Sequence, residues 1–168
     1  MRIVVSDSMV PFVRGEAERF AEQLAAQLER RGHLVDLIRI PFRPDPFALM
    51  PRQVAIAEEL LFDRTDLVIA LRFPATLVEH PRSVVWLQGI PPGPPAHEDP
   101  DGTDAAAHRA VLEAERRAFD RAVAFYAASP VVAERVDARL GFVPPILPPP
   151  VNPDSAREWD SVIDRLLA

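Results

Sequence analysis

Arg2-Ile3-Val4-Val5-Ser6 opens the chain, and from Glu16 the residues Ala17, Phe20, Ala21, Leu24, Ala25 and Leu28 recur at three- and four-residue steps. The first run is short, β-branched and without alternation, as a strand buried on both faces would be. The second is one apolar stripe on a helix, with Glu18, Glu22, Glu29 and Arg30 on its wet side. Between them lies a loop from Asp7 to Arg14 with Pro11, then Gly15. Gly32 stands where a left-handed helix cap is wanted, and His33 to Ile40 supplies the next strand. This β-α-β unit aims the N-terminus of its helix across the end of the first strand, the place where open α/β sheets bind ligands.

The same alternation continues outward. Pro41 to Pro51 is a proline-punctuated loop, Gln53 to Phe62 a short helix, and Asp66 to Leu71 a third buried strand. Phe73-Pro74 opens a helical turn through Val78, and Ser83 to Leu87 forms a fourth strand. Gln88 to Thr103, dense in proline and glycine, falls at the carboxyl end of that strand. Thr103 or Asp104 is expected to cap a long helix to about Ala122. Val123 to Ala127 is a fifth strand, and Ser129-Pro130 an N-cap with proline at the first helical position, opening a helix to about Leu140. Ile146-Leu147 is a short sixth strand at most, running into the stiff Pro148-Pro149-Pro150. Asp154 or Ser155 starts a last helix with Trp159, Val162, Ile163, Leu166 and Leu167 on one face. The fold class is α/β: one Rossmann-like domain over residues 1–150, a parallel sheet of about six strands with helices on both faces. Residues 151–168 are a linker and a C-terminal helix packing back on it.

Composition excludes several functions. The chain has 168 residues, Cys 0 and a formal net charge of −6. Neither disulfides nor thiolate metal sites are possible, and a nucleic-acid partner is not expected because phosphate attraction needs clustered cations. No apolar run approaches twenty residues and no basic leader precedes an apolar segment, so no transmembrane segment and a cytoplasmic location are expected. All 19 basic residues are arginine, a bias that suggests a GC-rich bacterial source. No glycine-flanked serine, P-loop or three-glycine dinucleotide fingerprint is present. His97, Glu98, Asp99, Asp101 and Asp104 lack the alternating ligands and placed glycine of a calcium loop, so neither a metal nor another cofactor is expected. His33 opens a strand and His80 precedes Pro81, which gives both structural roles.

Four segments carry a family resemblance: Met1-Arg-Ile-Val-Val-Ser with Val13-Arg-Gly-Glu-Ala-Glu18 and Leu28-Glu-Arg-Arg-Gly-His33; Asp66 to Pro74; Val78 to Leu87; and Ala127 to Arg135 followed by Pro148-Pro149. In this order they resemble the amino-terminal half of glycosyltransferase family 4, retaining enzymes built from two Rossmann-like domains in the GT-B architecture. The resemblance covers most of the chain, and it implies a crevice around Arg14, Gly15, Glu16, Arg72, Gln88 and Gly89. Three departures stand out. Glu16 replaces the second glycine that lets the family's loop approach the donor pyrophosphate. Gln88-Gly89-Ile90-Pro91-Pro92 replaces a loop bearing histidine. By the resemblance, the second, donor-binding Rossmann domain is expected to be missing, while Glu158 to Leu167 looks like the helix that crosses back from it.

Four of the crevice residues have a plain structural reading as well. Gly15-Glu16 is either a phosphate cradle or a turn whose first-turn glutamate stabilises the helix, since Glu16 supplies its own anion to the helix dipole. Arg14 and Arg72 sit at predicted strand ends, as surface arginines or as ligands for a carboxylate or phosphate. The leading expectation is an isolated acceptor-side half of a glycosyltransferase, engineered or minimised to stand alone as a monomer and catalytically silent. The alternatives are a natural transferase subunit working with a separate donor-binding partner, and a small module binding an anion or nucleotide. A sugar acceptor or nucleotide in the crevice is the partner the resemblance implies.

Overall fold

The computed structural model describes residues 1–12, 15–90 and 102–168. Five strands, β1 (Arg2–Met9), β2 (Leu34–Pro41), β3 (Leu67–Ala70), β4 (Ser83–Leu87) and β5 (Ala124–Ala127), form one sheet in the order β2-β1-β3-β4-β5. Every neighbouring pair is parallel. Among the described residues five α-helices connect or flank them: α1 (Glu16–Arg30), α2 (Met50–Glu58), α3 (Thr103–Arg121), α4 (Pro130–Leu140) and α5 (Ala156–Leu167). This is a doubly wound α/β domain, as expected. Its strand order reverses between β1 and β3, so the crevice belongs above their carboxyl ends.

Side-chain alternation sorts the core into two layers. Ile3, Val5, Leu67, Ile69, Val84 and Trp86 pack against the buried stripe of α1 (Ala21, Leu24, Leu28) and against Trp159, Val162, Ile163 and Leu166 of α5. Ala70, Val85, Leu87 and Ala127 face the other way, onto α2, α3 and α4. Phe20 of α1 bridges the first layer, its ring 5.2 Å from that of Trp86 and 5.7 Å from that of Trp159.

The tail helix is clasped as well as packed. Ser155 is its N-cap and accepts from Glu158 N, while Glu158 Oε2 accepts from Val151 N and Asn152 N. Trp159 Nε1 donates to Pro153 O at 2.8 Å, and Arg31 at the end of α1 reaches Asp164 at 2.6 Å. Among the described residues no helix is long and apolar enough to cross a membrane.

Three local expectations are corrected. The first strand does not stop at Ser6: Asp7, Ser8 and Met9 continue it, paired with Arg39, Ile40 and Pro41. Polar side chains hid that extension, because Asp7 is buried with a partner rather than exposed. Neither Thr103 nor Asp104 caps α3; Gly102 does, at φ 65°, a left-handed conformation that glycine adopts without steric cost. The sixth strand is a single bridge from Ala127 to Ile146. Pro144, Pro145 and Pro148–Pro150 flank it, and without N–H groups they cannot extend a ladder.

Candidate functional site

The crevice is built around a buried aspartate. Asp7, near the end of β1, is 0% exposed, and an unpaired carboxylate there would be costly. Arg72, two residues past β3, supplies the partner. Its Nε and Nη2 donate to Asp7 Oδ1 and Oδ2, each at 2.7 Å, a bidentate fork. Nη2 also donates to Ser8 O at 2.6 Å and reaches Glu18 Oε1 at 3.1 Å. The β1/β3 switch point therefore holds an Asp7–Arg72–Glu18 ion-pair chain.

Glu18 carries that chain to the start of α1. Gly15 is the N-cap at φ −147°, extended backbone open to any residue, and a Cβ built there would meet only Glu18 Oε2, at 3.4 Å. Its N–H donates to that same oxygen at 2.7 Å. This is the returning half of a capping box, with glycine having no side chain to complete the other half. Burial alone would raise the Glu18 pKa. Hydrogen bonds from its own backbone N–H, from Gly15 and from Arg72, with the Arg72 charge, outweigh burial and hold it below the ordinary glutamate value. On Arg72 burial also works against the charged form, and the two carboxylates win again, raising its pKa.

An open crevice of about 350 Å³ lies against this chain, lined among others by Ser8, Gly15, Glu16, Phe42, Phe73 and Gly89. A smaller adjoining one of about 200 Å³ is lined by Asp7, Phe20, Leu71 and Gln88, with Glu16, Ala17 and Arg72 shared between the two. Five of the expected residues, Gly15, Glu16, Arg72, Gln88 and Gly89, are thus brought together. Arg14 lies outside the described residues, as do His97, Glu98, Asp99 and Asp101 of the acidic run. Gln88 is tied by its backbone N–H to Leu71 O at 3.0 Å and by Nε2 to Trp86 O at 3.2 Å. Asp7 and Glu18 are the members that sequence reasoning missed. The spacing of Gly15 and Glu18, cap and third helical residue, was the available signal for one of them.

Among the described residues the crevice sets three carboxylates, Asp7, Glu16 and Glu18, against the guanidinium of Arg72. Two of its anion donors, the N–H of the N-cap Gly15 and Arg72, are both bound to Glu18. One apolar wall is formed by Phe42 and Phe73, edge to face at 5.6 Å. Val10, in the crevice lining, is 40% exposed, and Phe12, two residues on, is fully exposed at φ 67°, a strained conformation for a bulky residue. Among the described residues no group of three His, Asp or Glu side chains could hold a metal ion. His80 ties two loops, with Nε2 3.1 Å from Thr65 O and Nδ1 accepting from Arg82 N at 3.1 Å.

No protein-family model matches the chain, and no curated protein matches it.

Proposed function

We propose that this protein is an acceptor-side, Rossmann-like half of a retaining glycosyltransferase that stands alone and transfers no sugar itself. The assignment to that class rests on the four ordered segments that resemble family 4. The silence rests on one observation: the carboxylate of Glu18 occupies the seat a donor phosphate would need, accepting from Gly15 N–H and from Arg72. Glu16, exposed at the same helix end, repels a second anion.

The test is a thermal-shift scan with sugar nucleotides, free nucleotides and inorganic phosphate, beside an assay for nucleotide release. A ligand at a hundred times its Kd adds about 2.7 kcal/mol, which moves Tm by roughly 5–11 °C in a domain of this size. The expected result is no shift and no turnover. A shift with one nucleotide sugar, or its hydrolysis, overturns the silent reading.

Exposed Val10 in the crevice lining, with fully exposed Phe12 two residues on, favours a second reading, a transferase half that works against a separate donor-binding partner. Under that reading the isolated chain is equally inert, and replacing Phe12 by Ser lowers turnover only when the partner is present.

A further inference from the structure

On the sheet face away from α1 and α5, a second polar cluster lies between α3 and α4, its glutamate buried and its histidine and arginine half-buried. Glu115 of α3 is 1% exposed and accepts from Arg139 Nε of α4 at 2.8 Å. Arg139 Nη1 lies 3.3 Å from Nε2 of His108, seven residues before Glu115 on the same helix. Arg139 Nη2 is buried and has no hydrogen-bond partner among the described residues. The ring of Phe47, in the helical turn before α2, meets the His108 imidazole edge to face at 6.4 Å.

A guanidinium has donors only. His108 Nε2 must therefore be the acceptor, and the ring carries its single proton on Nδ1. A second proton, on Nε2, sets donor against donor and brings two cations into contact. Among the described residues the charged groups around the ring are few. Arg139 faces it from α4, where Arg135, one turn back, is exposed. On α3 itself Asp104 lies one turn before it and Glu115 two turns after, and the turn at Phe47 adds no charge.

We propose that His108 is an acid-sensitive latch in the α3–α4 seam: its protonation expels Arg139 from the ring and loosens the C-terminal end of α4. Burial, and next the charge of Arg139, lower the His108 pKa from its ordinary 6.5. The folded state thus binds fewer protons here than the unfolded one. The stabilisation is present above about pH 6.5 and is lost as the pH falls toward the lowered value. Glu115 has the opposite sense. Burial raises its pKa against the pull of Arg139, so its own protonation favours the folded state.

Because the two slopes oppose, the test isolates His108. Hydrogen exchange of the α4 amides, corrected for intrinsic rates, is followed from about pH 7.5 to 5.5 in wild type and in His108→Gln. Glutamine keeps an acceptor for Arg139 and does not titrate. The α4 opening constant of wild type, relative to the variant, is expected to rise by up to about tenfold over that range, the limit set by an unfolded pKa of 6.5. Parallel profiles in the two proteins overturn the proposal. Nitrogen-15 spectra of the wild-type imidazole give an independent reading: a bare Nε2 with a protonated Nδ1 at neutral pH is expected, and a protonated Nε2 refutes the latch whether or not the variant folds.

Discussion

Replacing Arg72 by methionine tests whether the crevice is organised for stability or for ligands. The substitution keeps an apolar stem and leaves Asp7 buried without its two 2.7 Å donors. Removing one partner of a buried ion pair costs about 3–5 kcal/mol. Arg72 keeps 23% of its side chain exposed, so water can partly replace it and the lower end, about 3 kcal/mol, is expected. At about 2–4 °C per kcal/mol that is a fall in Tm of roughly 6–12 °C. Asp7→Asn alone should cost less, about 1–2 kcal/mol, because Arg72 retains Ser8 O and Glu18. The double variant should cost at least about 1 kcal/mol less than the sum of the singles, since the two residues share one interaction. Urea unfolding with unchanged m-values is the assay. If Arg72→Met lies within about 1 kcal/mol of wild type, or the pair is additive, Asp7 does not depend on Arg72. The guanidinium would then be available to an anion, and the reasoning behind a silent crevice would fail.

Two further outcomes follow from the same geometry. Trp159→Ala should destabilise by about 3–5 kcal/mol, because that ring is 1% exposed between α1 and the sheet; Trp159→Phe should recover most of the loss, and equal unfolding midpoints for Ala and wild type would show that α5 does not belong to the folding unit. Glu18→Gln keeps the cap on Gly15 but loses its charge beside Arg72 and the helix end, a cost of about 1 kcal/mol at neutral pH. Since the folded pKa of Glu18 is lowered from 4.5, that contribution exists above about pH 4.5 and disappears as the pH falls through the lowered value. Stability curves of variant and wild type should therefore converge in acid, and a constant gap would contradict the assigned shift.

The parts of the fold legible in the sequence were those whose cause is local. The stripe of α1, the Ser129-Pro130 start of α4 and the amphipathic tail each announce themselves within a dozen residues, and Ser129 Oγ does accept from Val132 N. Of the short sixth strand, the most that Ile146-Leu147 allowed, one bridge forms, because the prolines around it have no N–H to extend a ladder. The site was only half legible for a different reason. Asp7 and Arg72 are 65 positions apart, and neither spacing nor hydropathy says that a carboxylate after Val5-Ser6 stays in the strand, buried. Glu115 left a fainter trace: it falls among Ala107, Val111, Ala114 and Ala118 on the apolar side of α3, a charge out of pattern that calls for a buried partner.

Capping and anion binding compete for the same groups in this crevice. A phosphate arriving at the start of α1 must take Gly15 N–H and Arg72 from Glu18 and then bear the exposed charge of Glu16. Each bond it gains replaces an equally charge-assisted bond already present, so the exchange brings a net contribution near zero. Beside these groups, among the described residues, stands the apolar wall of Phe42 and Phe73, which has no preference for anions. Removing Glu18 alone would restore both donors while leaving Asp7 satisfied, because the Asp7–Arg72 fork does not pass through it. The helix end would then be uncapped and the guanidinium half-freed. By this reasoning silence is a property of one carboxylate rather than of the fold, and Glu18→Ala, assayed with inorganic phosphate, separates the two: a gain in binding locates the block at Glu18, whereas continued indifference would place it in Glu16 and the acidic field around it.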